Sequence, residues 1–164
     1  RGLGDVYKRQ DTDSRLLILG SMPGIRSLQM QQYYGHPQNR FWPLVTMLLG
    51  YAEVPLDYAD KKQMLLDNRI ALWDVLGYCE REGSLDSDIT CEQPNDLAGF
   101  LQNHPQIHTI CCNGGKAAAA FKKYTRRLDL QGITVHFLPS TSPANARWSL
   151  TKLLEAWQVI NTGR

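Results

Sequence analysis

A chain of 164 residues, 43% apolar and 21% charged, suffices for one domain around one core and leaves little for a second. Its formal charge of +2 and pI near 8.4 are compatible with a polyanionic partner without requiring one. No apolar run approaches the roughly 18 to 20 residues of a membrane span and no signal-peptide core is visible, so a soluble, cytoplasmic protein away from membranes is expected.

The opening stretch, Arg1 to Gln10, has neither a helical nor a strand period and reads as a foreign, adapter-derived segment; an extension over 1–13 and a single domain over 14–164 are expected. Apolar, β-branched or aromatic runs predict strands over Arg15 to Gly20, Ile70 to Val75, His108 to Asn113 and Ile133 to Leu138, all four read as buried. Helical patterns fall between them. Phe41, Trp42, Val45, Leu48 and Leu49 share one face, Asp57 can cap a helix running to Asp67, and Asn95 or Asp96 can open one carrying Leu97, Phe100 and Leu101. Gly115 to Tyr124 is alanine-rich and helical, and Leu150, Leu153, Leu154, Trp157 and Ile160 space a closing helix. Strands alternating with helices predict an α/β fold, a three-layer α/β/α sandwich around a mainly parallel four-stranded sheet.

Such sheets bind ligands beyond the carboxyl ends of their strands. The loops Ser21 to Asn39, Gly77 to Asp88, Asn113 to Lys116 and Pro139 to Ala146 should therefore share one pocket. Familiar chemistries are excluded one by one. Gly114-Gly115-Lys116 lacks the first glycine and the hydroxyl of a phosphate loop, having Ile110 and Ala117 in those places. Gly20-Ser21-Met22-Pro23-Gly24 is not the elbow that exposes a nucleophilic serine. The cysteines Cys79, Cys91, Cys111 and Cys112 include no Cys-x-x-Cys pair, and the adjacent two would point to opposite sheet faces, so neither a metal nor a cofactor is expected. His136 reads as a packed strand residue, and Lys116, Lys122, Lys123, Arg126 and Arg127 as a solvated helix face, with contact to DNA phosphates as the alternative.

What remains is polar and aromatic. The amide of Asn113 has a donor beside an acceptor and could read a base edge; Tyr34 could stack on an extruded base, though Tyr33 and Tyr34 are also ordinary core aromatics. Asn39 could simply cap the helix after it, and His36 is either a pocket residue or loop structure. Ser140-Thr141-Ser142-Pro143-Ala144-Asn145, with Arg147, combines small hydroxyls, proline and amide beyond a strand, suited to phosphates or a minor groove.

Taken together, Gly20 to Gly24, Tyr34-Gly35-His36-Pro37-Gln38-Asn39-Arg40-Phe41-Trp42 and Pro139 to Asn145 resemble the uracil-DNA glycosylase superfamily, most closely its hypoxanthine-DNA (deoxyinosine) glycosylase branch; Trp73-Asp74-Val75-Leu76 and the segment Cys79 to Ser87 add to the likeness. The resemblance spans Ser14 to Trp157. It implies a DNA glycosylase of base excision repair acting on double-stranded DNA that contains deaminated bases; no Lys is placed as a nucleophile, so a monofunctional enzyme is expected, and nothing suggests an obligate partner, so a monomer is expected. Asn39 would support hydrolysis with Asn113 in the pocket. Tyr34, Ser21, Met22, Pro23, Gly24 and His36 would surround the base, and Ser140, Thr141, Ser142, Pro143, Ala144, Asn145 and Arg147 would meet the DNA. Met22 stands where mismatch-specific relatives carry a water-positioning Asn, and Ser140 where the main uracil enzymes carry a His; both departures count against efficient uracil excision. The rival readings are a broader uracil or xanthine glycosylase and a non-catalytic DNA-binding relative. His36, Asp74, Arg81 and Asp86 are unranked candidates for a general acid.

Overall fold

A computed structural model describes residues 13–77 and 92–164. Its centre is a four-stranded parallel sheet of β1 (Leu16–Gly20), β2 (Ile70–Asp74), β5 (Thr109–Asn113) and β6 (Thr134–Leu138), in the order β2-β1-β5-β6. All five residues of β1 and all five of β2 are buried. Because successive strand side chains face opposite sides, this means both faces of the sheet are covered, and the expected α/β sandwich is the observed architecture.

The remaining elements are α1 (Ile25–Met30), α2 (Phe41–Leu48), α3 (Tyr58–Asp67), a small antiparallel hairpin of β3 (Leu76–Gly77) with β4 (Gln93–Pro94), α4 (Leu97–Asn103), α5 (Gly115–Tyr124), α6 (Leu150–Ala156) and α7 (Val159–Thr162). Helix α3 packs on β2, α5 on β5, β1 and β6, and α2 on α6. Phe41 and Trp157 meet edge to face in the core, and two of the indoles that enter it donate their N–H groups to loop carbonyls: Trp157 to that of Pro139 and Trp42 to that of Tyr33, each at 2.9 Å. These two bonds tie the aromatic core to the loops on either side of the strand ends.

Several expectations change. The segment Ser21 to Asn39 contains a helix, α1. The closing helix is divided at Trp157 and Gln158, with Ser149 capping α6 by accepting the Lys152 N–H at 3.2 Å. Strand β6 is an edge strand and only partly buried, leaving Phe137 48% exposed, whereas four buried strands were expected. The other edge strand, β2, is buried throughout, so it is cover on its faces and not edge position that β6 lacks. Asp96, not Asn95, caps α4 by accepting the Gly99 N–H, and Asp57 precedes α3 without a side-chain cap. Cys111 and Cys112 are buried, and burial pushes each thiol up to about 12, which makes them inert core residues. The readings of Arg1 to Gln10, Cys79, Arg81, Asp86, Cys91 and most of the Gly77 to Asp88 loop lie outside the described residues.

Candidate active site

Three neighbouring strands end in Asp74, Gly20 and Asn113. The register sets Gly20 opposite Asp74, with β1 between β2 and β5, so the carboxyl and the amide stand on either side of a glycine. That glycine matters sterically: a Cβ built on Gly20 would collide with Asp74 Oδ1 and come within 3.5 Å of the Tyr34 hydroxyl. Tyr34 follows α1 with φ of 55°, in the left-handed region that residues with a Cβ rarely occupy. Its ring stacks on Phe41, with centroids 4.0 Å apart and planes 19° from parallel. One face of the Tyr34 ring is therefore covered by Phe41.

Asn113 is held firmly. Its Oδ1 accepts the Thr141 N–H and its Nδ2 donates to Thr141 Oγ1, both at 3.0 Å. A backbone N–H can only donate, so this pair fixes which end of the amide is oxygen. The two bonded positions are also the side-by-side donor and acceptor that a base edge would have used. Thr141 occupies that edge, and Asn113 retains one further amide hydrogen, which lies toward the Tyr34 hydroxyl. Burial, and next the charge of Asp74, push the Tyr34 phenol well above its usual range, so it stays a neutral O–H.

Asp74 contrasts with Asn113. It is 6% exposed, and among the described residues its carboxyl has no hydrogen-bond partner; the Asn95 amide reaches only its backbone carbonyl, at 2.8 Å. Desolvation raises its pKa from 3.8 to about 7. Asp74 thus holds a proton to near neutrality.

The Pro139 to Trp148 loop is bound to the segment before α2. Arg40 N–H donates to the Thr141 carbonyl at 3.1 Å, and its guanidinium donates to the carbonyls of Asn145 at 2.9 Å, Ser142 at 3.4 Å and Trp148. Thr141 therefore sits between Arg40 on one side and Asn113 on the other, which brings the neighbour of Asn39 to the pocket wall. It is 0% exposed, so this residue anchors the loop from within and cannot face DNA. Ser142, Pro143 and Asn145 are half-buried, and Ala144 and Arg147 exposed. Asn145 donates to the Ser140 carbonyl at 3.0 Å, and Ser140 Oγ accepts the Ser142 N–H at 3.0 Å, leaving its hydroxyl hydrogen available. Gly114, at φ of 95°, packs directly beneath Ser140, where a Cβ would come within 2.8 Å of the serine Cβ.

Asn39 Oδ1 accepts the Phe41 N–H at 2.9 Å, a turn contact two residues on; Arg40, not the expected Asn39, is the N-cap of α2, and it caps without its side chain. Its Nδ2 has no partner among the described residues. His36 is exposed and accepts the Gln38 N–H at Nδ1. Ser21, Met22 and Pro23 are half-buried and Gly24 is exposed, with the Ser21 carbonyl accepting the Leu76 N–H at 2.8 Å. Of the basic cluster, Lys123 pairs with Glu92 at 2.8 Å and Lys122 lies over the Phe137 ring. Among the described residues, no three of His, Cys, Asp and Glu gather as a metal site, and no helix is long and apolar enough to cross a membrane.

A parallel sheet with buried polar groups converging beyond its carboxyl ends defines an α/β protein that takes its ligand at the strand ends. The chain belongs to the uracil DNA glycosylase superfamily, whose model matches residues 7–161. It is 41% identical over 150 residues to a protein of Methanosarcina acetivorans named hypoxanthine DNA glycosylase, covering 92% of each chain. A Methanosarcina barkeri protein of the same name is 35% identical over 147 residues, covering 90% of each. The solution NMR structure of a Methanosarcina acetivorans protein superposes with a TM-score of 0.74 at 38% identity, covering 92% of this chain and 93% of that one.

Proposed function

We propose that this protein is a monofunctional DNA glycosylase that everts deoxyinosine from duplex DNA and hydrolyses its N-glycosidic bond, leaving an abasic site for base excision repair. The observation that carries the reading is identity, over about nine-tenths of the chain, to two proteins named hypoxanthine DNA glycosylase. The enzyme works as a cytoplasmic monomer on DNA carrying deaminated bases.

Eversion costs about a few kcal/mol, and less for a poorly paired base such as hypoxanthine. Tyr34, braced from behind by Phe41, offers its remaining face to the flipped ring. On eversion the second amide hydrogen of Asn113 leaves the Tyr34 hydroxyl for O6. Adenine has an amino group there, and two donors facing each other would cost roughly 1 to 3 kcal/mol, so the orientation fixed by Thr141 favours the deaminated base. The same hydrogen suits O4 of uracil, which makes uracil the informative comparison. Asn39 keeps its bond to the Phe41 N–H through Oδ1 and uses Nδ2 to orient water below C1′ as the sugar becomes an oxocarbenium ion. The Ser140 hydroxyl and backbone N–H groups of the Ser21 to Gly24 turn stabilise negative charge developing on the base. Ser142, Pro143, Ala144, Asn145 and Arg147 meet the duplex, held in shape by Arg40.

Duplexes carrying inosine, xanthine or uracil, incubated with the protein and then treated with hot alkali, test the reading. Inosine-selective breakage that appears only after alkali supports it. Breakage without alkali would show a lyase, preferential uracil breakage a broader enzyme, and intact duplexes a protein that binds without chemistry.

A further inference from the structure

The mechanism above leaves one buried group unused. Asp74 ends β2 beside Gly20, whose missing side chain makes room for Oδ1, and the Tyr34 hydroxyl borders the same spot. Its carboxyl is almost wholly buried at the mouth of the strand ends, yet no described residue bonds to it. A carboxyl desolvated without a partner is a poor structural element, since a buried polar group left unpaired costs stability. It is well placed to meet something that arrives.

We propose that Asp74 is the general acid of the reaction, donating its carboxyl proton to N7 of the everted purine as the C1′–N9 bond breaks. This rests on the glycosylase reading and names the group that activates the leaving base. As the bond breaks, its electron pair passes to the purine and the Asp74 proton joins N7, so hypoxanthine departs neutral and Asp74 is left as a carboxylate. Water adds its oxygen to C1′, and the proton it sheds restores the carboxyl. N7 is the basic site on the five-membered ring and lies next to O6, the atom assigned to Asn113; Asp74 and Asn113 reach the ring from opposite sides of β1. Asp74 is protonated up to about pH 7 because burial disfavours its charge. The other ionisable groups at this spot, Tyr34 and Cys112, are raised far above that range and stay neutral, so a limb near pH 7 belongs to Asp74.

The test is single-turnover excision between pH 5 and 9, on duplexes with inosine and with 7-deazainosine, by the intact protein and by Asp74→Asn. The wild-type rate on inosine should be level below about pH 6.5 and fall close to tenfold per pH step well above 7. Asp74→Asn should lose that limb and run about 100-fold or more slower, the usual span for a general acid. Replacing N7 by carbon should slow the wild type comparably and slow Asp74→Asn no further. Binding of a 2′-fluoro-deoxyinosine duplex, which is not cleaved, should be unchanged within about threefold, marking the variant as folded. Equal wild-type rates on inosine and 7-deazainosine, or no wild-type limb, would overturn the proposal without needing any variant; so would Asp74→Asn within threefold of wild type. A wild type inert on inosine would instead remove the glycosylase reading itself, and this proposal with it.

Discussion

The ends of β2 and β5 flank the same glycine and spend their polar side chains in opposite ways. Asn113 is held by Thr141 at both ends of its amide, whereas the Asp74 carboxyl has no bond from any described residue. One side chain is part of the scaffold and the other is held in reserve, at a cost in stability. The cost can be read by titration. Below pH 3.8 the carboxyl is protonated in both the folded and the unfolded chain; between 3.8 and about 7 only the folded chain keeps the proton. The unfolded state then binds fewer protons, so stability falls as pH rises through this window, by about 4 kcal/mol for the whole interval. Urea unfolding at pH 4 and pH 8 should show that loss in the wild type, while Asp74→Asn flattens Asp74's share. Equal slopes in the two proteins would mean that the carboxyl is solvated or partnered.

Breaking the held side should do the reverse: a loss of stability with no such pH dependence. Asn113→Ala removes two hydrogen bonds and strands the buried Thr141 N–H, so we expect destabilisation of about 3 kcal/mol at every pH, checked by the denaturation midpoint. Arg40→Ala leaves three loop carbonyls without their charged donor but does so at a half-buried position, for which about 2 kcal/mol is expected. The second change should also weaken binding of uncleavable inosine duplex, because the Pro139 to Trp148 loop loses its support; unchanged affinity would place DNA contact elsewhere.

The same contrast explains what could be read from residue order. Three of the four sheet strands were legible because Leu16 to Leu19, Ile70 to Trp73 and Ile110 to Cys112 are continuous apolar runs, the pattern of strands covered on both faces. Helix α1 was not, since Ile25 to Met30 carries no apolar stripe and Gly24 offers no capping side chain. Asn113 and Asp74 were legible as strand ends, but burial separates their roles, and burial is set by what packs around them. Arg40 escaped notice for a different reason: its partners are backbone carbonyls more than a hundred residues away, which no residue type announces. Thr141 reads as an outward hydroxyl in a polar loop and turns out to be the pin between two segments.

Asn39 combines both behaviours within one amide, the oxygen bonded to the Phe41 N–H and the nitrogen unbonded, so a single substitution can separate them. In Asn39→Ser a hydroxyl can still accept the Phe41 N–H, and stability should change by only about 0.5 kcal/mol, against about 1 kcal/mol for Asn39→Ala, where that bond is lost too. Excision of hypoxanthine should drop by about 100-fold in both variants, because neither has a donor long enough to reach water at C1′. If the serine variant keeps wild-type excision while the alanine variant loses it along with stability, the amide nitrogen does nothing for hydrolysis. The water would then have to be oriented from the Ser21 to Gly24 turn, the remaining polar backbone at the end of β1.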